Sequence, residues 1–127
     1  MKNDTLIENQ QIEKKNILVF DENNCPVTAT MKVIGGKWKP ILINCIYLDS
    51  PARFGELKRK MKGITQTMLT AQLRELENEG IIKRKIYAEI PPKVEYTLTE
   101  FGKTLGPIIQ SLADWGMTHC INKKIQN

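Results

Sequence analysis

The sequence contains few of the residues that build metal sites or catalytic centres. It has three cysteines and one histidine in 127 residues. No two of them show the Cys-x-x-Cys or His-x-x-x-His spacing, so a zinc site made from Cys25, Cys45, His119 and Cys120 is not expected. The sequence also shows no carboxylate pair on one helix face, no Cys-His pair at helical spacing and no phosphate-binding glycine loop. We therefore expect a protein that is not an enzyme and needs no cofactor.

Long apolar runs are absent too. No stretch is long enough to cross a membrane, and the opening MKNDTLIENQQIEKKN lacks the apolar centre of a signal peptide. An odd number of widely spaced cysteines does not indicate a disulfide framework, and the redox dithiol of a thiol oxidoreductase is missing. These absences favour a cytoplasmic protein with reduced thiols and no membrane partner.

Positive charge is abundant and unevenly distributed. The chain has a net charge of +5 and a pI of about 9.2. Residues 25–64 contain eight basic and two acidic side chains, whereas residues 1–24 contain three basic and five acidic ones. A concentrated positive field is typical of proteins that bind a polyanion such as nucleic acid.

Between Pro26 and Lys62, the apolar residues recur at the spacing of helices. One helix is predicted to begin at Pro26, in a first-turn position, and to end at the glycine pair 35–36. The segment KWKPILINCIYLD predicts a second helix, whose inward residues are Trp38, Ile41, Leu42, Cys45 and Ile46. A short third helix has Phe54, Leu57 and Met61 inward, and its outer face is basic: Lys58, Arg59, Lys60 and Lys62.

The stretch GITQTMLTAQLRELENEG, residues 63–80, predicts a helix with two different faces. Thr65 is placed to cap its start, and Leu69, Leu73 and Leu76 form an ordinary core stripe. The first two turns of the opposite face carry only threonine, glutamine and alanine, and the glutamates come at the far end. Gly80 is expected to close the helix.

Beyond Gly80, the helical spacing of apolar residues gives way to an alternation of apolar and polar residues. The segments IIKRKIY and KVEYTLT predict two strands joined by the turn AEIPP, which together form a β-hairpin. A last helix is predicted after Thr99, and Gly106-Pro107 should kink it or delay its true start. Its apolar stripe is Phe101, Leu105, Ile108, Leu112 and Trp115.

This order of elements predicts an α+β, mainly helical fold, a winged helix-turn-helix with a two-stranded β-hairpin wing. A helix that enters the major groove needs short side chains at its leading positions, because they must approach base edges closely. Double-stranded DNA is therefore the expected partner. We expect the following contacts: bases by Gln66, Thr67, Thr70 and Arg74, phosphates by Arg53, Lys58 and Lys62, and the flanking minor groove by Lys93. The alternative is a winged-helix protein-protein interaction module, although such a surface should show aromatic or methionine anchors.

The chain also resembles the HxlR-type winged helix-turn-helix transcriptional regulators, relatives of the MarR type. The resemblance covers roughly residues 25–115, through CPV, GGKWKPILI, RFGELKRKMKGITQTMLTAQLRELENEGII, PPKVEYTLTEFG and LADWG. It implies a dimeric regulator of a two-fold operator, with the helix from Thr65 reading bases. It also implies N- and C-terminal dimerisation helices. The expected organisation is a loosely ordered or helical arm at 1–24, a DNA-binding domain at 25–118 and a tail at 119–127.

Two expectations concern assembly and redox response. The stripe of Phe101, Leu105, Ile108, Leu112 and Trp115 is longer than one small domain needs, so part of it should pack against a second chain to form a homodimer. Cys25 precedes Pro26 at a helix N-cap, which favours the thiolate. The resemblance adds oxidant or electrophile sensing through Cys25. Because Cys120 lies just past the predicted dimer helix, we expect it to approach Cys25 of the other chain and act as the resolving thiol. The alternative is that Cys25 is an unreactive thiol that only caps the helix.

Overall fold

The computed structural model describes residues 24–122. The predicted arm at 1–24 therefore lies outside the described residues except for Asn24, and the predicted tail is described only as far as Asn122. The chain divides into two compact units, Met1–Gly36 and Lys37–Asn127. This division falls within the segment 25–118, so those domain bounds stay a prediction.

In the first unit, α1 spans Pro26–Ile34. Cys25 is its extended N-cap residue, and Pro26 occupies the first turn, where a missing N–H costs nothing. Backbone N–H of Ala29 donates to the Cys25 carbonyl over 2.9 Å. The helix ends at the glycine pair, as predicted.

In the second unit, α2 spans Lys39–Leu48 and packs against both the last long helix and the second strand. Leu42, Ile43 and Ile46 are buried, whereas Ile41 is 40% exposed. The prediction of an inward Ile41 was wrong, and Ile43 was missed. Because α2 is covered from two sides, its buried arc is rotated away from the single stripe that periodicity indicates. Trp38 and Cys45 are half-buried.

The next two helices form the helix-turn-helix. Helix α3 spans Phe54–Lys60 and α4 spans Gln66–Asn78. Gly63 lies between them at φ 94°, a left-handed conformation that glycine adopts without steric cost. The Thr65 Oγ1 accepts a hydrogen bond of 3.1 Å from the Met68 N–H, which confirms the predicted cap. The inward stripe Leu69, Leu73 and Leu76 is fully buried, also as predicted.

The wing is an antiparallel hairpin. Strand β1 spans Ile82–Tyr87 and β2 spans Lys93–Leu98, with Ile82 opposite Leu98 and Tyr87 opposite Lys93. Ala52, just before α3, pairs with Tyr96 through two backbone hydrogen bonds of 2.9 and 2.8 Å. This bridge fixes the helix-turn-helix to the base of the wing.

The C-terminal segment is interrupted where Gly106-Pro107 predicted. A short helix α5 spans Glu100–Lys103, and α6 then spans Gly106–Gly116 with proline in its first turn. A π-helical segment, Met117–Ile121, continues it. A Cβ added to Gly106 would lie 2.2 Å from the Tyr47 ring, so glycine permits the close approach of α6 to α2.

These elements confirm the mainly helical α+β class and the winged helix-turn-helix order. Within residues 24–122, no helix is long and apolar enough to cross a membrane.

Candidate nucleic-acid interface

The solvent side of α4 forms a shallow concave surface of about 400 Å³. Its leucine stripe is buried on the opposite side, so this surface is held on a rigid element. The surface is lined by Gln66, Thr67, Thr70, Ala71 and Arg74. Thr70 is half-buried, and the other four residues are exposed. Four residues that the sequence predicts to read bases are thus brought together by one helix.

Thr65 differs from its neighbours because its hydroxyl oxygen already has a partner. It accepts from the Met68 N–H and so satisfies one of the free backbone donors at the helix start. Its structural task is to fix where α4 begins. The remaining N–H groups and the positive end of the helix dipole lie at this same end, where they favour an anion.

Helix α3 and its flanks supply exposed cations. Arg53, Lys58 and Lys62 are exposed, and no carboxylate within residues 24–122 pairs with them. Lys60 is different, because its Nζ lies 2.8 Å from the Asp49 carboxylate. The hydrogen bond from Lys60 lowers the pKa of Asp49, and the same bond raises the pKa of Lys60. All three cations that the sequence predicts to meet phosphates are therefore exposed and without a carboxylate partner within residues 24–122.

Lys93, at the start of β2, is engaged within the wing. Its Nζ lies 3.1 Å from the Glu95 carboxylate and 5.0 Å from the centre of the Tyr87 ring. Tyr87 donates a hydrogen bond of 3.1 Å to the same carboxylate. The hydrogen bond from Lys93 lowers the pKa of Glu95. A minor-groove contact by Lys93 therefore requires its ammonium to leave this cluster. The wing tip itself is exposed and apolar at Ile90, Pro91 and Pro92.

A lysine that the sequence reasoning missed contacts the far end of α4. Lys39 Nζ lies 3.0 Å from Glu75 Oε2 and 3.4 Å from Glu79 Oε1. Burial opposes the charged form, but the hydrogen bond to Glu75 and the charges of both carboxylates outweigh it and raise the pKa of Lys39. Nothing in local spacing indicates this contact, because the partners are 36 and 40 residues away along the chain.

The cysteines lie in contrasting environments. Hydrogen bonding by the Thr28 side chain and backbone favours the thiolate of Cys25 and lowers its pKa. Burial raises the pKa of Cys45, which disfavours its reactive thiolate form. Cys120 is exposed on the π-helical segment. Among residues 24–122, no group of three or more potential ligands could hold a metal ion.

The apolar stripe predicted for the dimer interface is divided by the fold. Phe101, Ile108, Leu112 and Trp115 are between 47% and 62% exposed, whereas Leu105 is 8% exposed. Leu105 is therefore already buried within one chain, together with Ile109. The exposed apolar side of the C-terminal helices therefore consists of Ile108, Leu112 and Trp115 on one face of α6, together with Phe101 of α5. Met117 and Ile121 are exposed as well.

Comparison with known proteins agrees with this geometry. The family model described as HxlR-like helix-turn-helix matches residues 33–124. YybR of Bacillus subtilis (strain 168), named as an HTH-type transcriptional regulator, is 55% identical over 104 residues, which are 82% of this chain and 82% of YybR.

Two solved structures are also similar. The redox regulator HypR in its oxidized form has 54% identity and a TM-score of 0.71, over 75% of this chain and 97% of that chain. The reduced form of the transcriptional regulator YodB from B. subtilis has 36% identity and a TM-score of 0.61, over 76% and 94%. The protein described here belongs to the HxlR-like helix-turn-helix family.

Proposed function

We propose that this protein is a transcriptional regulator that binds a two-fold DNA operator as a homodimer, with α4 of each protomer in the major groove. The observation that carries the proposal is the concave, exposed face of α4. Its leading side chains are short and uncharged, which a base-reading helix needs for close approach. Long carboxylates at these positions would be repelled by phosphate.

The residues predicted to form the DNA-binding site have different roles in this proposal. Gln66, Thr67, Thr70 and Arg74 contact base edges, and the methyl groups of threonine and Ala71 suit the thymine methyl. Thr65 holds the start of α4 in register. Arg53, Lys58 and Lys62 contact phosphates, which fix orientation without reading sequence. Lys93 exchanges its contact with Glu95 for the flanking minor groove.

The homodimer follows from the exposed apolar side of the C-terminal helices. Phe101, Ile108, Leu112 and Trp115 together expose an apolar surface of the kind that marks association sites. Val27 and Met31 of α1 are likewise exposed and are proposed to share the interface. A two-fold dimer places two reading helices about 34 Å apart, one turn of DNA.

The proposed signal is oxidation of Cys25. Its N-cap position and lowered pKa support a reactive thiolate. HypR, named as a redox regulator, supports it through 54% sequence identity. Cys120 of the partner protomer is the proposed resolving thiol, and it is exposed as that role requires.

A surface that only docks proteins would carry aromatic or methionine anchors. The concave face of α4 is lined by none. The two functions are separated by selecting bound fragments from random double-stranded DNA. The proposal predicts an inverted repeat whose half-sites are one turn apart. Recovery of unrelated sequences, bound no better than the starting pool, would refute sequence-specific regulation.

A further inference from the structure

The acidic end of α4 is tied to the start of α2 by one lysine. Lys39 lies within 3.4 Å of both Glu75 and Glu79, and its side chain is only 12% exposed. No other side chain in the ion pairs of residues 24–122 is so little exposed. Its ammonium is therefore committed to these two carboxylates.

Without Lys39, these carboxylates would be unfavourably placed. The C-terminal end of a helix carries negative partial charge, and the last turn of α4 contains no basic residue. DNA phosphates near the same helix would add further repulsion. Lys39 supplies the missing cation from α2. The third glutamate of this end, Glu77, has Arg84 of the wing 3.7 Å away.

We propose that Lys39 is a positioning residue for DNA recognition, which neutralises Glu75 and Glu79 and fixes the acidic end of α4 against α2. The inference rests on the proposed function of α4 as the reading helix. Lys39 acts through the carboxylates and not through DNA. In this it differs from Lys58 and Lys62, which have no carboxylate partner within residues 24–122 and are free to meet phosphates.

The change Lys39→Met removes the charge and keeps an unbranched apolar stem. We expect it to weaken operator binding about tenfold, because two carboxylates lose their counter-charge at the reading helix. Lys39→Arg, which keeps the charge, should retain most of the affinity. Lys103→Met is the matched control, because Lys103 also forms an ion pair, 2.9 Å from Glu100, and pairs with no glutamate of α4. It should leave binding unchanged.

A double-mutant cycle separates this role from direct DNA contact. Lys39→Met is introduced into the wild type and into the Glu75→Gln/Glu79→Gln variant, and affinity for a selected operator is measured by fluorescence anisotropy. Thermal unfolding of each variant is followed in parallel. The proposal predicts a loss in the wild-type background and almost none in the glutamine background, where no carboxylate is left unpaired.

Equal losses in both backgrounds would overturn the inference, since they indicate a phosphate contact or general destabilisation. Wild-type affinity in the Lys39→Met protein would overturn it as well. Failure of the wild-type protein to prefer any selected sequence is a different result, because it overturns the proposed function on which the inference rests.

Discussion

Lys62, just beyond α3, is an exposed cation without a carboxylate partner within residues 24–122. If it contacts phosphate, Lys62→Ala should weaken operator and random DNA alike and lower the slope of log affinity against log salt by about 1. Lys60→Ala is the control on the same basic surface. Because Lys60 is already paired with Asp49, its removal should change the slope less. A larger slope change for Lys60 would reverse the assignment.

Cys25 and Cys45 should differ in how their reactivity depends on pH. The thiolate is the nucleophile, and its fraction rises as pH passes the thiol pKa. Since the pKa of Cys25 is lowered and that of Cys45 is raised, Cys25 should reach its full alkylation rate at lower pH. Iodoacetamide labelling followed by mass spectrometry measures both rates. Identical pH profiles would contradict the assignment.

The proposed pairing of Cys25 with Cys120 predicts how the protein responds to the oxidant diamide. Two thiols, Cys25 and Cys120 of the partner protomer, would give up two electrons and two protons to diamide and form an intersubunit disulfide. A non-reducing gel should show a linked dimer for wild type only, and not for Cys25→Ser or Cys120→Ser. DNA affinity that changes equally in wild type and Cys25→Ser would leave Cys25 a capping thiol.

At the scale of elements, the contact between α2 and α6 depends on Gly106. A Cβ there would lie 2.2 Å from the Tyr47 ring, so Gly106→Ala should lower the free energy of unfolding by roughly 1–3 kcal/mol. Gly116→Ala is the matched control in the same helix, because nothing lies within 4 Å of an added Cβ. It should be neutral or stabilising by up to about 1 kcal/mol. Equal melting temperatures for the two variants would contradict this packing.

The elements show why some of the fold could be predicted and some could not. Thr65, Gly80 and the break at Gly106-Pro107 act through local backbone chemistry, so their positions in the sequence determine the result. The exposed Ile41 and the buried Ile43 depend on which elements cover α2. A single helical stripe contains no information about a second covering element. Periodicity therefore predicted the buried Leu42 and Ile46 correctly, but it placed Ile41 inward wrongly and missed Ile43.

In the candidate site, too, features that depend on local sequence could be predicted, whereas features that depend on tertiary contacts could not. The face of α4 was predictable because residues on one helix face follow from spacing alone. The contact of Lys39 with Glu75 and Glu79, and that of Lys93 with Glu95, depend on which side chains tertiary structure or hairpin register brings together. Charge counts therefore located the basic region but did not distinguish the paired lysines from the free ones.

At the scale of the molecule, the exposed apolar side of the C-terminal helices should hold two chains together. Leu112→Asp places a charge in this surface and should convert the dimer to a monomer, because an unpaired charge is costly to bury at an interface. Ile90→Asp is the control, since Ile90 is fully exposed at the wing tip. Sedimentation at micromolar concentration measures both. A monomeric wild type, or a dimeric Leu112→Asp protein, would contradict the proposed interface.

The central claim is that α4 reads the operator, and Thr70 lies in the middle of its concave face. Thr70→Glu puts a carboxylate where phosphates and base acceptors are closest, whereas Thr104→Glu adds the same charge at an exposed site between α5 and α6. Footprinting of a selected operator is the direct test. The account predicts two protected patches one turn apart for wild type and Thr104→Glu. It predicts at least about a hundredfold weaker protection for Thr70→Glu. Protection by Thr70→Glu at wild-type concentrations would contradict it.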